Sequence, residues 1–489
     1  MVQTLNFIVP SLYPNTLIDL SFPTPPLGLV PSIPEPIVQH LPIKYGSYQP
    51  LGRSKFMING TRDDEIMIAD DKFQISSIQL NPIKNSDEPE NPEKEQEIIP
   101  PTIINQENVK ARSKDVWAGL VNVRGGSISA LTSGQITYHS SSSSSSSSDE
   151  IKTSSSSRII PSPLQCITST SLLPNSFVTA GKEVDISIWD IERTFGSSDQ
   201  VTKTWENGKR KKNVLEAGQI WQAKNVPQNN LSLRQPINHL SLTYINGSPH
   251  HLVSGTKAGT IRQFDTRQRK PLSDWKVARE GGINCVVSGV ENELFFSDHS
   301  NLLASLDLRI GKILYTYSNM TSTSLNLISI PLSINNNDDD DSYNKFERRI
   351  GLSSISSDST FRIHTTTNPP NNIKEKGNYN NNGQQGKKGE ILKIVGGIGI
   401  GQGLFRGKGN RNLIIPKTSK KNEGDDEEEE IDEEEIWKGM DEIKDQGKLP
   451  ESGDEDEDED QIDFSSESDL GEEDKIIIRS KPKKKVRKV

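Results

Sequence analysis

The clearest pattern in the chain is a twelve-residue cassette in which a short turn precedes an alternating strand. In residues 179–190, Ile186 and Ile188 alternate with Ser187 and Trp189, which is the period of a β-strand. Gly181 in the preceding turn has the freedom to take a positive φ. Taken alone, a turn followed by a strand would indicate only a hairpin.

The cassette recurs along the chain. Residues 254–265 fit the same template without a gap, residues 294–307 repeat it more loosely, and residues 354–364 supply a fourth copy. This recurrence favours the radially repeated sheets of a WD40 propeller over a β-sandwich. Asp358 stands where WD40 blades place an acid that ties the turn together, whereas Glu183 and Ala258 are weaker at that position.

The other hydrophobic runs extend the series to an all-β, WD40-type β-propeller of seven blades. We assign the blades to residues 5–20, 53–78, 116–138, 159–194, 219–267, 283–317 and 321–366. Residues 390–395 are predicted as the strand that closes the ring, because closure removes free sheet edges. Six or eight blades are also compatible with the pattern.

Polar, unpatterned segments interrupt the propeller, which we assign to residues 1–415. Four of them are predicted to be disordered insertions, because they cannot bury enough apolar surface to fold. They lie at about 81–110, 140–158, 335–345 and 368–389. Residues 196–218, with the basic run at 209–212, are predicted as an exposed loop, and residues 416–489 as a disordered tail.

Composition agrees with a β-rich body diluted by polar insertions. Hydrophobic residues make up 31% of the 489 residues and aromatic residues 6%. The two cysteines, Cys166 and Cys285, stand far apart, so we expect a reducing compartment without a disulfide framework or structural zinc site. The N-terminus lacks the pattern of a signal peptide, and no apolar run is long enough to span a membrane.

Charge is divided unevenly along the chain. Residues 421–489 carry 28 acidic and 12 basic residues, a net charge of −16, whereas the whole chain is −10. The first 420 residues therefore carry about +6, and the body is mildly basic.

The most specific short signal is the basic C-terminus. Its six cations follow or flank a proline that keeps the peptide extended, as in segments bound by nuclear import receptors. They are Lys481, Lys483, Lys484, Lys485, Arg487 and Lys488. The other interpretation is a generic basic end that contacts RNA phosphates or nothing.

The acidic tail contains one candidate binding element. Ile436, Met440 and Ile443 have the spacing of an amphipathic helix, with Trp437 beside them. The surrounding acidic blocks are either solvated spacers or competitors for basic ribosomal or histone surfaces.

No motif points to catalysis. The glycine-rich residues 395–408 match neither G-x-G-x-x-G nor a P-loop, and they are interpreted as a flexible linker or an RNA contact. There is no HExxH, no His/Cys cluster and no G-x-S-x-G. We therefore expect no enzyme activity, cofactor or metal.

One stretch resembles a particular WD40 family. Residues 219–226, with an Ala-Lys-Asn-Val element, and residues 231–237, with Leu-Ser-Leu-Arg-Gln-Pro, follow a Gly-Lys-Glu…Ile-Trp-Asp blade. Residues 264–271, 306–312 and 435–437 carry further likeness. This pattern is similar to the large-ribosomal-subunit assembly factors, which include WD repeat-containing protein 74 of animals and its Nsa-type fungal counterpart. Gln235 and Asn238 depart from the family pattern.

The resemblance implies a non-catalytic factor on nucleolar precursors of the large (60S) subunit, needed for pre-rRNA processing. It also implies a AAA-type ATPase that releases the factor. Lys224, Asn225, Val226 and Arg234, with Trp437, are the candidate partner contacts. The alternative is that the first four only brace the junction of blades four and five. An adaptor of a chromatin or ubiquitin-ligase complex, or an enzyme using the central channel, is the competing function.

Overall fold

The protein is described by a computed structural model that is almost entirely β. It describes residues 2–23, 35–60, 62, 64–80, 100–140, 155–196, 205–206, 209–210, 215–228, 230–290, 292–330, 349–366 and 389–411. These residues form seven four-stranded antiparallel sheets, the blades, and one two-stranded hairpin. The seven-bladed propeller predicted from the repeats is therefore confirmed.

The blades follow the chain in order, except that the first blade borrows its innermost strand from the other end. Blade one contains β1 (Val2–Pro10), β2 (Thr16–Pro23), β3 (Ile37–Pro42) and β30 (Leu404–Arg411). Blade two contains β4 (Ser54–Asn59), β5 (Glu65–Asp70), β6 (Gln74–Gln79) and β7 (Thr102–Asn108). Blade three contains β8 (Trp117–Val123), β9 (Gly126–Leu131), β10 (Gln135–Ser140) and β11 (Ser155–Ile159).

The remaining elements complete the ring. Blade four contains β12 (Leu164–Thr168), β13 (Ser176–Gly181), β14 (Ser187–Asp190) and β17 (Gln219–Gln222), with helix α1 (Ile191–Phe195) and the hairpin β15 (Trp205–Glu206) and β16 (Lys209–Arg210) between its last two strands. Blade five contains β18 (His239–Tyr244), β19 (His251–Thr256), β20 (Thr260–Asp265) and β21 (Pro271–Lys276). Blade six contains β22 (Ile283–Ser288), β23 (Glu293–Asp298), β24 (Leu303–Asp307) and β25 (Lys312–Thr316). Blade seven contains β26 (Ser324–Ser329), β27 (Arg349–Ser356), β28 (Phe361–Thr366) and β29 (Ile391–Val395).

The ring closes through its innermost strands. In the order β30, β4, β8, β12, β18, β22 and β26, each contacts the next, and β26 contacts β30. The clasp is the antiparallel pair β1–β30, which runs from Val2 opposite Arg411 to Ile8 opposite Leu404. Closure covers the inner edge strand of every blade with its neighbours in the ring, so the outer strands are the ones with an uncovered edge.

The core lies between adjacent blades. At the seam of blades seven and one, Phe7 of β1 contacts Phe22, Phe361 and Phe405, with ring centroids 5.0–5.9 Å apart. Buried aromatic contacts of this kind add to the free energy gained by burying apolar area. The phenylalanines thus fasten the two ends of the chain together.

The two ends of the ring differ in construction. At one end, which we call the connection face, lie the links between blades and the turns between the second and third strands. In six blades the first residue of that turn donates its N–H to the carbonyl oxygen of the residue directly before the innermost strand. These bonds, 2.9–3.2 Å long, are Asp71 to Arg53, Thr132 to Val116, Lys182 to Pro163, Lys257 to Asn238, His299 to Gly282 and Ser357 to Thr323.

Two expectations about ring closure were wrong. Residues 390–395, predicted to close the ring, contain β29, the outer strand of blade seven. The closing strand is β30, which lies largely in the glycine-rich stretch interpreted as a flexible linker. Gly399 and Gly401 pass so close to backbone oxygens of Ser11 and Ser54 that a Cβ would clash. These glycines therefore serve close packing of the chain at the closure.

Three boundaries also differ from prediction. Gln219–Gln222 forms the outer strand of blade four instead of opening blade five. β7 falls inside the stretch 81–110, and β11 except for Ile159 falls inside the stretch 140–158, both of which were predicted to be disordered insertions. An outer strand has one unpaired edge and is only partly buried, so β7 and the serine-rich β11 need little hydrophobic signal to pair with their neighbours.

The turn of the best cassette takes its positive φ at a different residue from the one expected. Glu183 has φ +55°, whereas Gly181 does not adopt a left-handed conformation. A Cβ on Gly181 would lie 2.0 Å from the carbonyl oxygen of Pro163. This glycine is required by close approach of two strands.

The ring belongs to a compact unit that spans Met1–Ile414. The other two predicted insertions, 335–345 and 368–389, fall outside the described residues except for Gly389, and the predicted tail, 416–489, falls outside them entirely. Among the described residues, no helix has the length and apolar character needed to cross a membrane.

Candidate partner-contact surface

Four of the five predicted contact residues lie on one link of the connection face, the segment 223–238 between blades four and five. The Lys224 N–H donates to the carbonyl of Arg269 at 2.7 Å, and Arg269 Nε donates to Gln222 O at 2.8 Å. This exchange fixes the backbone of the link to blade five. The Lys224 side chain itself is exposed.

Asn225 has a structural role. Its Nδ2 donates to Gln235 O at 2.6 Å, and its Oδ1 accepts the N–H of Val226 at 2.9 Å. The guanidinium of Arg262, a buried residue of β20, lies 3.4 Å from the same oxygen. Asn225 therefore connects the beginning of the link, at Val226, with its later part, at Gln235, and attaches both to blade five.

Arg234 lies at the other arm of the link. Its Nη1 is 3.7 Å from Glu183 Oε2, and the two side chains are 64% and 57% exposed. An ion pair this exposed contributes little to stability. Leu231 and Leu233 are exposed beside it, so this arm presents apolar and cationic groups to solvent.

The turn of blade four completes the surface. The Glu183 N–H donates to Ile237 O at 2.8 Å, and Lys182 bridges Asn238. Burial raises the pKa of Asp185, while Arg234 and Arg269 act in the opposite direction. The surface thus combines Lys224, Arg234 and Lys182 with the acids Glu183 and Asp185.

The arrangement supplies contacts rather than chemistry. Lys224 and Arg234 point to solvent, whereas Asn225 and Val226 are half-buried. In the part of the chain that the structure describes, no group of three or more His, Cys, Asp or Glu side chains could hold a metal. Trp437 and the six cations of the predicted import signal lie outside the described residues.

One hydrogen-bonded chain has the order of a hydrolase triad. Ser129 Oγ lies 2.9 Å from His139 Nε2, and His139 Nδ1 lies 2.7 Å from Glu107 Oε2. Nucleophilic catalysis needs such an order, but it also needs access for a substrate, and the Ser129 side chain is buried.

The same contact recurs in other blades, which identifies it as part of the repeat. Thr179 Oγ1 lies 2.9 Å from Trp189 Nε1, and Ser354 Oγ lies 2.7 Å from His364 Nε2. In all three blades a third-strand ring meets a second-strand hydroxyl ten residues earlier. Burial lowers the pKa of His364 to about 3, so that ring is neutral.

No family model matches the chain. Over 145 residues the chain is 27% identical to the ribosome biogenesis protein NSA1 of the yeast Meyerozyma guilliermondii. The aligned part is 29% of this chain and 33% of that relative. The chain therefore spans about a third of the relative's length. Together with the seven blades, this similarity supports the family suggested by the sequence. The chain is a seven-bladed propeller protein with similarity to a ribosome biogenesis protein.

In this propeller, sequence reasoning missed the buried Ser/Thr–ring contacts. The signal was present, because Ser129–His139, Thr179–Trp189 and Ser354–His364 share one spacing. It was hidden because only one of the three rings is the tryptophan of a Trp-Asp pair. A search for a hydroxyl residue ten positions before any His or Trp would have found all three.

Proposed function

We propose that the chain is a non-catalytic assembly factor in biogenesis of the large (60S) ribosomal subunit. It acts as a scaffold for proteins and rRNA on nucleolar pre-ribosomal particles and is needed for pre-rRNA processing. The observation that carries the proposal is the similarity to a ribosome biogenesis protein in a chain folded as a closed ring. A rigid ring with many exposed links suits binding at several surfaces.

The proposed partners follow from the same assignment. They are the other assembly factors, ribosomal proteins and pre-rRNA of the particle, a AAA-type ATPase that releases the chain, and a nuclear import receptor. Lys224, Asn225, Val226 and Arg234 on the ring, and Trp437 in the tail, are the proposed contacts. The basic residues near the C-terminus direct the protein to the nucleus.

Affinity purification of the tagged chain, followed by identification of the RNA and proteins that accompany it, tests the proposal. We expect precursors of the large-subunit rRNA together with large-subunit proteins. Chromatin proteins or a ubiquitin-ligase core in their place would favour the adaptor function. Depletion of the chain should in addition cause unprocessed pre-rRNA to accumulate.

A further inference from the structure

The connection face carries a second group of exposed polar residues, on blades one to three, distinct from the link between blades four and five. It contains three exposed tyrosines, Tyr13, Tyr45 and Tyr48, which are 69%, 43% and 36% exposed. The links 43–53 and 109–116 and the turn 71–73 also carry six exposed cations: Lys44, Arg53, Lys72, Lys110, Arg112 and Lys114. We call these nine residues the tyrosine–cation patch.

Hydrogen bonds fix the backbone segments that carry the tyrosines. Asn15, two residues after Tyr13, exchanges backbone bonds with Leu51 and Ile43 at 3.0 and 3.1 Å. Its side chain donates to Ile43 O at 2.9 Å and accepts the Leu51 N–H at 3.2 Å. The Tyr13 turn is thereby fixed to the link 43–53, which carries Tyr45 and Tyr48.

The cations are attached to the same framework. Lys72 Nζ donates to Pro50 O at 2.9 Å, which joins the β5–β6 turn to the link that carries the tyrosines. The Val109 N–H donates to Phe73 O at 2.9 Å, which joins that turn to the link 109–116. Among the described residues, none of the six cations forms an ion pair, so their charges are available to a ligand.

The connection face carries a net positive charge. Its links and turns contain 11 Lys/Arg and 6 Asp/Glu, a net of +5. The links 43–53 and 109–116 and the turn 71–73 contribute six of these cations and two of the acids, Asp71 and Asp115.

We propose that the tyrosine–cation patch binds single-stranded RNA. Exposed aromatic rings beside cations form the surface on which unpaired bases stack while their phosphates are neutralised. An acidic protein, as the alternative partner, would pair with the cations but would have no specific need for three exposed aromatic rings. This inference rests on the proposed function and deepens it, because it names the face and the form of RNA that the scaffold holds.

The test is RNA binding by the purified full-length chain. Fluorescence anisotropy would follow a mixed-sequence single-stranded RNA oligonucleotide and a duplex of the same sequence at several salt concentrations. Replacing both Tyr13 and Tyr45 by Ala should weaken single-strand binding at least about tenfold, since each stacked base contributes strongly. Tyr48 is left intact because its hydroxyl donates to Ile104 O.

Charge variants distinguish RNA binding at the patch from non-specific attraction between the protein's cations and RNA phosphates. Arg112→Ala with Lys114→Ala should reduce the slope of log affinity against log salt by about 1.4, the value for two lost phosphate contacts on a single strand. The matched control is Arg193→Ala with Lys312→Ala, two exposed cations at the opposite end, which should leave binding within about twofold. The basic C-terminus is present in all variants, so its contribution cancels.

Each outcome decides for or against the patch. Equal loss in the patch and control variants, or equal binding of duplex and single strand that is insensitive to the tyrosines, would overturn it. So would failure to bind RNA, with capture of an acidic protein in its place. Equal melting temperatures would show that the variants are folded. If the patch variants bind RNA normally while the chain still purifies with pre-ribosomal particles, only this inference fails. If the patch binds RNA but no particle is recovered, the proposed function fails.

Discussion

Arg362 of β28 lies across the turn from Asp358, with Nη2 2.7 Å from Oδ2. The guanidinium is buried and also donates to Ser356 and Thr321. Asp358 in turn accepts hydrogen bonds from Thr321 and Thr360. The acid expected from the sequence to tie this turn thus also anchors a buried cation at the seventh blade.

Removal of this carboxylate should destabilise the ring. Asp358→Ala would leave the buried Arg362 guanidinium without its charged partner, and we expect a loss of at least about 2 kcal/mol in the free energy of unfolding near neutral pH. Chemical denaturation followed by tryptophan fluorescence would measure it. Arg234→Ala, which breaks an exposed ion pair, should cost no more than about 0.5 kcal/mol.

The effect of Asp358 should depend on pH in a defined direction. Burial raises its pKa, but hydrogen bonds from Arg362, Thr360 and Thr321 outweigh burial and lower the pKa overall. Its contribution is therefore complete above the ordinary aspartate pKa and is lost as the pH falls through the lowered value. An Asp358→Ala penalty that stayed constant into strong acid would contradict this.

A second carboxyl should give the opposite pH dependence. Glu293 is buried in blade six, where Ser305 Oγ and the Tyr315 hydroxyl donate to it at 2.5 and 2.8 Å. Burial raises its pKa to about 7. Its contribution to stability is complete below the ordinary glutamate pKa and is lost as the pH rises through 7.

Between pH 5 and 8 the parent chain should lose up to about 3 kcal/mol in its free energy of unfolding because Glu293 ionises, since one pKa unit corresponds to about 1.4 kcal/mol. Glu293→Gln should abolish this loss. Thermal melting across that range measures the change. Glu280→Gln, at an exposed link residue, is the control and should leave the profile of the parent chain unaltered. A Glu293→Gln profile that falls toward pH 8 as steeply as the parent would refute the assignment.

Variants of the link between blades four and five should distinguish a role in binding partners from a purely structural role. Lys224→Glu with Arg234→Glu should lower recovery of co-purifying proteins and RNA without lowering the melting temperature, because both side chains are exposed. Asn225→Ala should instead lower stability by about 1–2 kcal/mol, since it leaves the Val226 N–H and Gln235 carbonyl unpaired. Unchanged recovery with the doubly reversed charges would mean that the link only braces the ring.

Nuclear entry should depend on the C-terminal cations. Replacing Lys483, Lys484 and Lys485 by Ala should shift a fluorescently tagged chain from the nucleus to the cytoplasm, because an import receptor reads that charge run. Lys209→Ala with Arg210→Ala is the control for another basic run and should leave the distribution unchanged. Nuclear accumulation of the triple variant would show that the signal lies elsewhere.

The sequence predicted the ring well where strands are buried on both faces. Ile186, Ile188 and Trp189 all reach the core, and the pattern around them is the one that revealed the repeat. Outer strands were harder to predict. β11, for example, consists mostly of serine, and its pairing depends on backbone hydrogen bonds to β10. Composition alone cannot report such pairing.

The closure was out of reach for a different reason. β30 pairs with β1 although the two strands are far apart in sequence, so that Val2 lies opposite Arg411. The glycines of β30 give it the composition of a linker. Local pattern reports neither long-range pairing nor the close approach of Gly399 to Ser11. The tyrosine–cation patch was missed likewise, because only the fold brings Tyr13 and the link 43–53 together.

Sedimentation of the tagged full-length chain through a sucrose gradient, with the rRNA of each fraction identified, tests the central claim most directly. We expect the chain to migrate with large-subunit rRNA precursors and to be absent from mature subunits. A chain found only in the free fractions, or bound to particles that lack those precursors, would contradict it.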